Sequence, residues 1–449
     1  MATKYPYPTA EVEFTKKGEI HDEAQVAALR SMIDDEGITD LIVVSHGWNN
    51  DMAEARRFYK RLLDNLKKQI KDNDIDLGDR KLGVLAVLWP SKKFAERELI
   101  ASGAAGVGGA LTDTAVIADI EELTDVFDAP DSDVIIEQLT ALVPSLEDSP
   151  QAQREFADLA RKLLVDSSDG EVESELPDEL REMPGDKLLD ELGKPDLSQM
   201  AVPGEPSDIG TAAGLGSFLS GIRGGALTLM NLLTYYQMKD RAGVIGMKGL
   251  RPILEGVVDD HPEIRLHLMG HSFGARLVTA AIRGADKAPR IEVSSLSLLQ
   301  GAFSHNGLAD NYDEKGHDGY FRLVMSDHRV AGPVVITHTV NDRAVGLAYP
   351  IASRLAGHDA AGIGDADSPY GGMGRNGAQH TPEAVSGVLG KAGTTYEFAP
   401  GKVHNLLADE TISSHSDVDN AAVGSALAAV IGGAWRRVSP RSSRRRSAR

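Results

Sequence analysis

The sequence predicts an α/β protein: a mostly parallel central sheet with helices on both faces, carrying a large acidic insertion. Three observations point there. Residues 41–44 (Leu-Ile-Val-Val), 82–88 and 334–336 (Val-Val-Ile) are short, continuous apolar runs, the form taken by strands buried on both faces. A helix-period pattern lies between the first two runs, and strand–helix–strand alternation favours a parallel sheet. Finally, acidity is concentrated in one segment. Residues 111–200 hold 25 Asp/Glu against six Lys/Arg, a net of −19 out of −20 for the 449-residue chain.

Taken in order, the first helix reads from Met52, Ala55, Phe58, Tyr59, Leu62, Leu63, Leu66 and Ile70, which recur at spacings of three and four. Asp51 and Glu54 have the spacing of a capping box at its start. From about 95 to 240 the rhythm is interrupted. A small-residue run at 101–109 opens this stretch, and a Gly-rich one at 210–233 closes it. The acidic part between them contains amphipathic pieces at 134–142 and 156–164, so it reads as an inserted subdomain, partly helical or flexible. Alternation resumes with strands at 264–269 and 293–299 around a helix at 274–282. A late strand at 403–407 and a helix from Asp417 to about Trp435 follow. The expected organisation is a core of residues 12–95 and 235–435, an insertion at 96–234, and a basic disordered tail at 436–449.

Composition excludes several chemistries. The chain has no Cys, which removes disulfides, zinc–thiolate sites and thiol catalysis. No charge-free apolar run reaches the 18 residues of a spanning helix, and the start lacks a secretory signal, so a cytoplasmic location is expected. The 13 His residues are scattered without metal-ligand spacing, so neither metal nor cofactor is expected. Seven Arg in the last 14 residues read as a solvated tail with at most weak contact to an anionic membrane surface. An acidic protein with such a tail is a poor dedicated nucleic-acid binder. The Gly-rich loop at 371–377 reads as a plain flexible loop, with the rim of a pocket as the alternative.

Chemistry is carried by Gly270-His271-Ser272-Phe273-Gly274, a G-x-S-x-G pattern that follows a strand directly and opens a helix. Such a sharp strand-to-helix turn lifts the Ser hydroxyl to the sheet edge above a helix N-terminus; a Ser that merely caps a helix is the plain alternative. With this elbow the chain resembles the α/β-hydrolase superfamily, in its esterase/lipase-like branch. The strand ending in His46-Gly47-Trp48 is similar to that family's His-Gly oxyanion loop. The resemblance implies that the backbone N–H groups of Trp48 and Phe273 form the oxyanion hole; because such a loop needs its backbone rather than the ring, His46 itself reads as a buried structural imidazole bracing the loop.

The family's chain order of Ser, acid and His implies a triad of Ser272, Asp342 and His415. Asp342 leaves the 334–339 strand with family-like Asp-x-x-Val spacing, and His415 sits on a polar loop before the last helix. Asp310 is the reserve acid, Asp327 lies before that strand, and His404 is the rival base. The expected activity is serine-hydrolase cleavage of a small-molecule or lipid ester through an acyl-enzyme. Two alternatives are a non-catalytic interaction protein using the acidic insertion, and a membrane-surface lipase or phospholipase. The resemblance covers about 290 residues and leaves the insertion unassigned.

Overall fold

A computed structural model describes residues 4–48, 50–91, 112–164, 178–194, 221–313, 315–342, 371–433 and 435. The small-residue run at 101–109, much of the 210–233 stretch and the Arg-rich tail lie outside them. Two compact units emerge: one made of Met1–Ser91, Arg241–Val345 and Gly371–Arg449, the other of Lys92–Asp240 and Gly346–Tyr370. Residues 346–370, expected in the core, lie outside the described residues.

The first unit is an eight-stranded sheet. Its strands are β1 (Thr9–Glu13), β2 (Asp40–Ser45), β3 (Leu82–Leu88), β4 (Arg265–His271), β5 (Ser295–Leu299), β6 (Val334–His338), β7 (Ala384–Val388) and β8 (Val403–Leu407), in the order β1-β3-β2-β4-β5-β6-β8-β7. Every pairing is parallel, which sharpens the expectation of a mostly parallel sheet. β2 and β3 are buried along their whole length, so both faces are covered, as their unbroken Val/Ile/Leu composition requires.

Helices α1 (Glu23–Glu36) and α2 (Met52–Asp72) follow β1 and β2. The α2 capping box is formed, with Asp51 accepting from Glu54 N–H and Glu54 accepting from Asp51 N–H. Its apolar stripe joins the last helix in one core with Ile42, Val44, Val84, Ala86, Met269 and Leu406.

The second unit is helical in its described residues: α3 (Asp113–Glu121), α4 (Ser132–Leu142), α5 (Pro150–Arg161), α6 (Asp178–Glu182), α7 (Gly185–Leu192) and most of α8 (Gly221–Val244). It buries Ile120, Ile136, Leu139, Phe156 and Leu189, with Tyr235 and Met230 in its interior, so these acidic sequences pack as helices.

Returning to the first unit, α9 (Arg251–Asp260) precedes β4, and α10 (Phe273–Arg283) follows it. The guanidinium groups of Arg251 and Arg329 donate to the carbonyls of Ala281 and Ile282 at the end of α10, where cations complement the helix dipole. The remaining helices are α11 (Arg322–Ser326), α12 (Met373–Asn376) and α13 (Ala421–Gly432).

Several elements differ from expectation. The edge strands β1 and β7 were not foreseen, and β1 begins before residue 12. The fifth strand starts at Ser295, because Val293 makes only an isolated bridge to Val330. The last helix starts at Ala421 rather than Asp417, since Asn420 caps it by accepting from the N–H groups of Ala422 and Val423. The 371–377 loop is not free: Met373 and Gly374 are buried and their N–H groups donate to Phe303 and Gly301 carbonyls.

A parallel sheet puts all strand C-termini at one edge, where open α/β sheets bind ligands. The segments leaving β2, β4, β5, β6 and β8 therefore emerge together. They carry Gly47, Ser272, Gln300, Asp342 and His415.

Candidate active site

Ser272 stands between β4 and α10 with φ 57° and ψ −124°, a sparsely populated conformation that costs about 1–3 kcal/mol. Helix-capping serines have extended backbone and accept an N–H bond. Ser272 has neither feature: its side chain makes no capping bond, which disposes of the capping alternative. The flanking glycines are steric necessities. A Cβ on Gly270 would lie 2.3 Å from Gly274 O, and one on Gly274 would lie 2.3 Å from Ser45 O. Ser272 N–H donates to Leu299 O and its carbonyl accepts from Ala302 N–H, which clamps the turn to the exit of β5.

The 46–50 loop presses against the same serine. A Cβ on Gly47 would sit 2.6 Å from Ser272 Cβ, so only glycine fits there. Trp48 follows, its ring 5.9 Å from that of Phe273, so the two residues expected to offer N–H groups lie beside one another next to Ser272. His46 is fully buried and stacks on Trp89. Trp89 N–H donates to His46 Nε2, which leaves the proton on Nδ1 to donate to Gly47 O at 2.9 Å. Burial pushes the His46 pKa down to about 4. The ring thus shapes the loop as a neutral brace.

Asp342 and His415 are brought together. His415 Nδ1 lies 2.8 Å from Asp342 Oδ2; the carboxylate is fully buried and the imidazole is 13% exposed. Supporting bonds hold both loops. Asn341 Nδ2 donates to the carbonyls of Asp409 and Ile412, and Asp409 accepts from Thr339 Oγ1 and Val340 N–H. Asp417 accepts from Ser413. The imidazole loop reaches the elbow through His271, whose Nε2–H donates to the His415 carbonyl at 2.9 Å; the two rings are 4.9 Å apart. Burial first, and the neighbouring His415 second, push the His271 pKa down to about 3.

The rival residues lie elsewhere. His404 is the second residue of β8, at the end remote from these loops, and receives Ala399 N–H. Asp310 sits 3.8 Å from Arg322, and Asp327 pairs with Arg329. Three participants were not foreseen: His271 as the anchor of the imidazole loop, and Gln300 and Gly374 against the Asp342 carboxylate. Gln300 Nε2 lies 3.3 Å from Asp342 Oδ2, and a Cβ on Gly374 would lie 2.8 Å from that same oxygen. Their sequence separation from Asp342 hides them.

A second Ser, His and Asp array occupies the opposite end of the sheet. His267 bonds Ser295 Oγ through Nδ1 at 2.8 Å and Asp40 Oδ1 through Nε2 at 3.1 Å. All three are sealed from solvent, and Asp40 is further paired with Arg80 and Arg265. With no access for substrate, this array is structural.

Compared with protein-family models, curated proteins and solved structures, the chain matches nothing. Among the described residues, no helix is long and apolar enough to cross a membrane.

Proposed function

We propose that this chain is a serine hydrolase with an α/β-hydrolase fold that cleaves an ester through an acyl-enzyme, with Ser272 as nucleophile, His415 as base and Asp342 as acid. One observation carries the reading. A buried carboxylate accepts the Nδ1 proton of an imidazole on a loop tied to the residue preceding a strained, glycine-flanked serine.

With its Nδ1 proton committed to Asp342, His415 keeps Nε2 as the free base. In the proposed reaction Nε2 takes the Ser272 proton as Oγ attacks the ester carbonyl, then returns it to the leaving alcohol. Water repeats the cycle on the acyl-enzyme. Asp342 holds the tautomer and stabilises the imidazolium. The N–H groups of Trp48 and Phe273 receive the developing oxyanion, each donor contributing about 3 kcal/mol. The backbone at Gly47 supports this role, because it approaches Ser272 Cβ more closely than any side chain would allow.

The test is hydrolysis of short p-nitrophenyl esters by the wild type and by Ser272→Ala. Turnover by the wild type and its loss by at least about 1,000-fold in the variant are expected. Equal turnover by both proteins refutes the assignment.

A further inference from the structure

We infer that Gln300 is a positioning residue of this site, fixing the Asp342 carboxylate by donating to the oxygen that also receives the His415 proton. The inference rests on the proposed hydrolase reading and names a group that the Ser, His and Asp assignment does not include.

Gln300 is the first residue after β5, fully buried, with φ 46°. Its N–H donates to Thr337 Oγ1 at 3.1 Å, which ties this left-handed backbone to β6. From there its Nε2 meets two acceptors, Asp342 Oδ2 at 3.3 Å and Gly374 O at 3.1 Å. Two acceptors define the amide orientation, since the carbonyl oxygen facing both would be repelled. Gly374 completes the seat. A Cβ there would lie 2.7 Å from the Gln300 carbonyl carbon and 2.8 Å from Asp342 Oδ2. Gly374 O also accepts from Thr339 N–H, so α12 wedges Gln300 and the acid loop into register.

Asp342 Oδ2 thus receives two donors, a neutral amide and the imidazole. The amide restrains rotation of the carboxylate and satisfies part of its charge. Without it the carboxylate turns more freely, while its less satisfied charge favours imidazolium more strongly. Among the described residues, other titratable or charged groups near this pair are His271 at the end of β4, Asp409 and Asp417 in the His415 loop and Arg375 of α12, which donates to Val340 O; His338, the last residue of β6, faces Asp409 and Arg375. Gln300 itself does not titrate.

The experiment compares the full-length wild type with Gln300→Met, which keeps the side-chain length but cannot donate. Folded fraction is checked by near-UV circular dichroism. In the variant, kcat on a p-nitrophenyl ester should fall about ten-fold with KM within two-fold, and the acid limb of the pH–rate profile should move to higher pH. An unmoved limb, with any loss of kcat matched by lost folded protein, overturns the inference.

A second measurement needs neither turnover nor a variant. In wild-type NMR spectra the Gln300 side-chain amide resonances should shift as the pH is lowered. A titration that leaves them unmoved also overturns the inference. Should the wild type hydrolyse no ester, the hydrolase reading fails, and the amide response still tests the coupling of Gln300 to the Asp342–His415 pair.

Discussion

His271 donates its Nε2 proton to the backbone carbonyl of His415 at 2.9 Å, so the residue before the elbow serine holds the loop that presents the imidazole. Replacing His271 by Leu removes that anchor while keeping an apolar side chain beside Phe58. Ester turnover should fall about ten-fold, the value of one well-placed hydrogen bond. His271→Gln retains a donor and should recover part of the loss. Equal losses in both variants would show that the bond does not matter.

Strain at Ser272 yields a stability prediction. Its φ of 57° suits glycine, and the strain is of order 1–3 kcal/mol, partly offset by the greater unfolded-state freedom of Gly. Ser272→Gly should therefore be more stable than Ser272→Ala by about 1 kcal/mol in urea titrations, with both variants inactive. The reverse order would mean that the elbow is unstrained.

The buried histidines set an acid limit. Burial lowers the pKa of His46 to about 4 and of His271 to about 3, and also lowers that of His267. An unfolded His titrates near 6.5. Folded-state values below this mean that the unfolded chain binds more protons as pH falls. These groups therefore contribute stability above about pH 6.5 that is lost towards pH 3–4, at up to about 1.4 kcal/mol per pH unit for each histidine. Urea midpoints should fall steadily between pH 7 and pH 5. A flat profile would contradict the neutral, buried state of these rings.

The sealed array at the other end of the sheet should behave oppositely to the candidate site. Burial, the largest influence on Asp40, pushes its pKa up, but hydrogen bonds from His267, Arg80 and Thr39 outweigh it and hold the carboxyl below the usual range. Removing that charge leaves Arg80 and Arg265 without their shared partner. Asp40→Asn should destabilise the fold by about 3–5 kcal/mol, whereas Ser295→Ala should leave ester turnover of the folded protein unchanged. Loss of turnover in a stably folded Ser295→Ala would give this array a chemical role.

The interior strands were legible because burial on both faces demands continuous apolar sequence, as at 82–88. β1 shows only Ala10 and Val12 inward, and β7 is largely exposed, so neither edge strand leaves a strong pattern. Ser272 stood out through local spacing, and Asp342 and His415 through chain order after it. Gln300 and Gly374 carry no such mark. Their importance arises where the exits of β5 and β6 meet α12, a contact between residues 42 and 74 positions apart. The same contact explains why a glycine-rich stretch that reads as flexible is packed: its glycines admit close approach of the His305 ring at Gly371 and of the Gln300 backbone at Gly374.

The central claim is that Ser272 is an activated nucleophile. Treating the wild type and Ser272→Ala with a fluorophosphonate, then locating the adduct by peptide mass spectrometry, tests it most directly. The account predicts one stoichiometric adduct on Ser272 in the wild type, slowed at least about 100-fold in Asp342→Asn and absent from Ser272→Ala. No adduct on the folded wild type, or one on another residue, would contradict it.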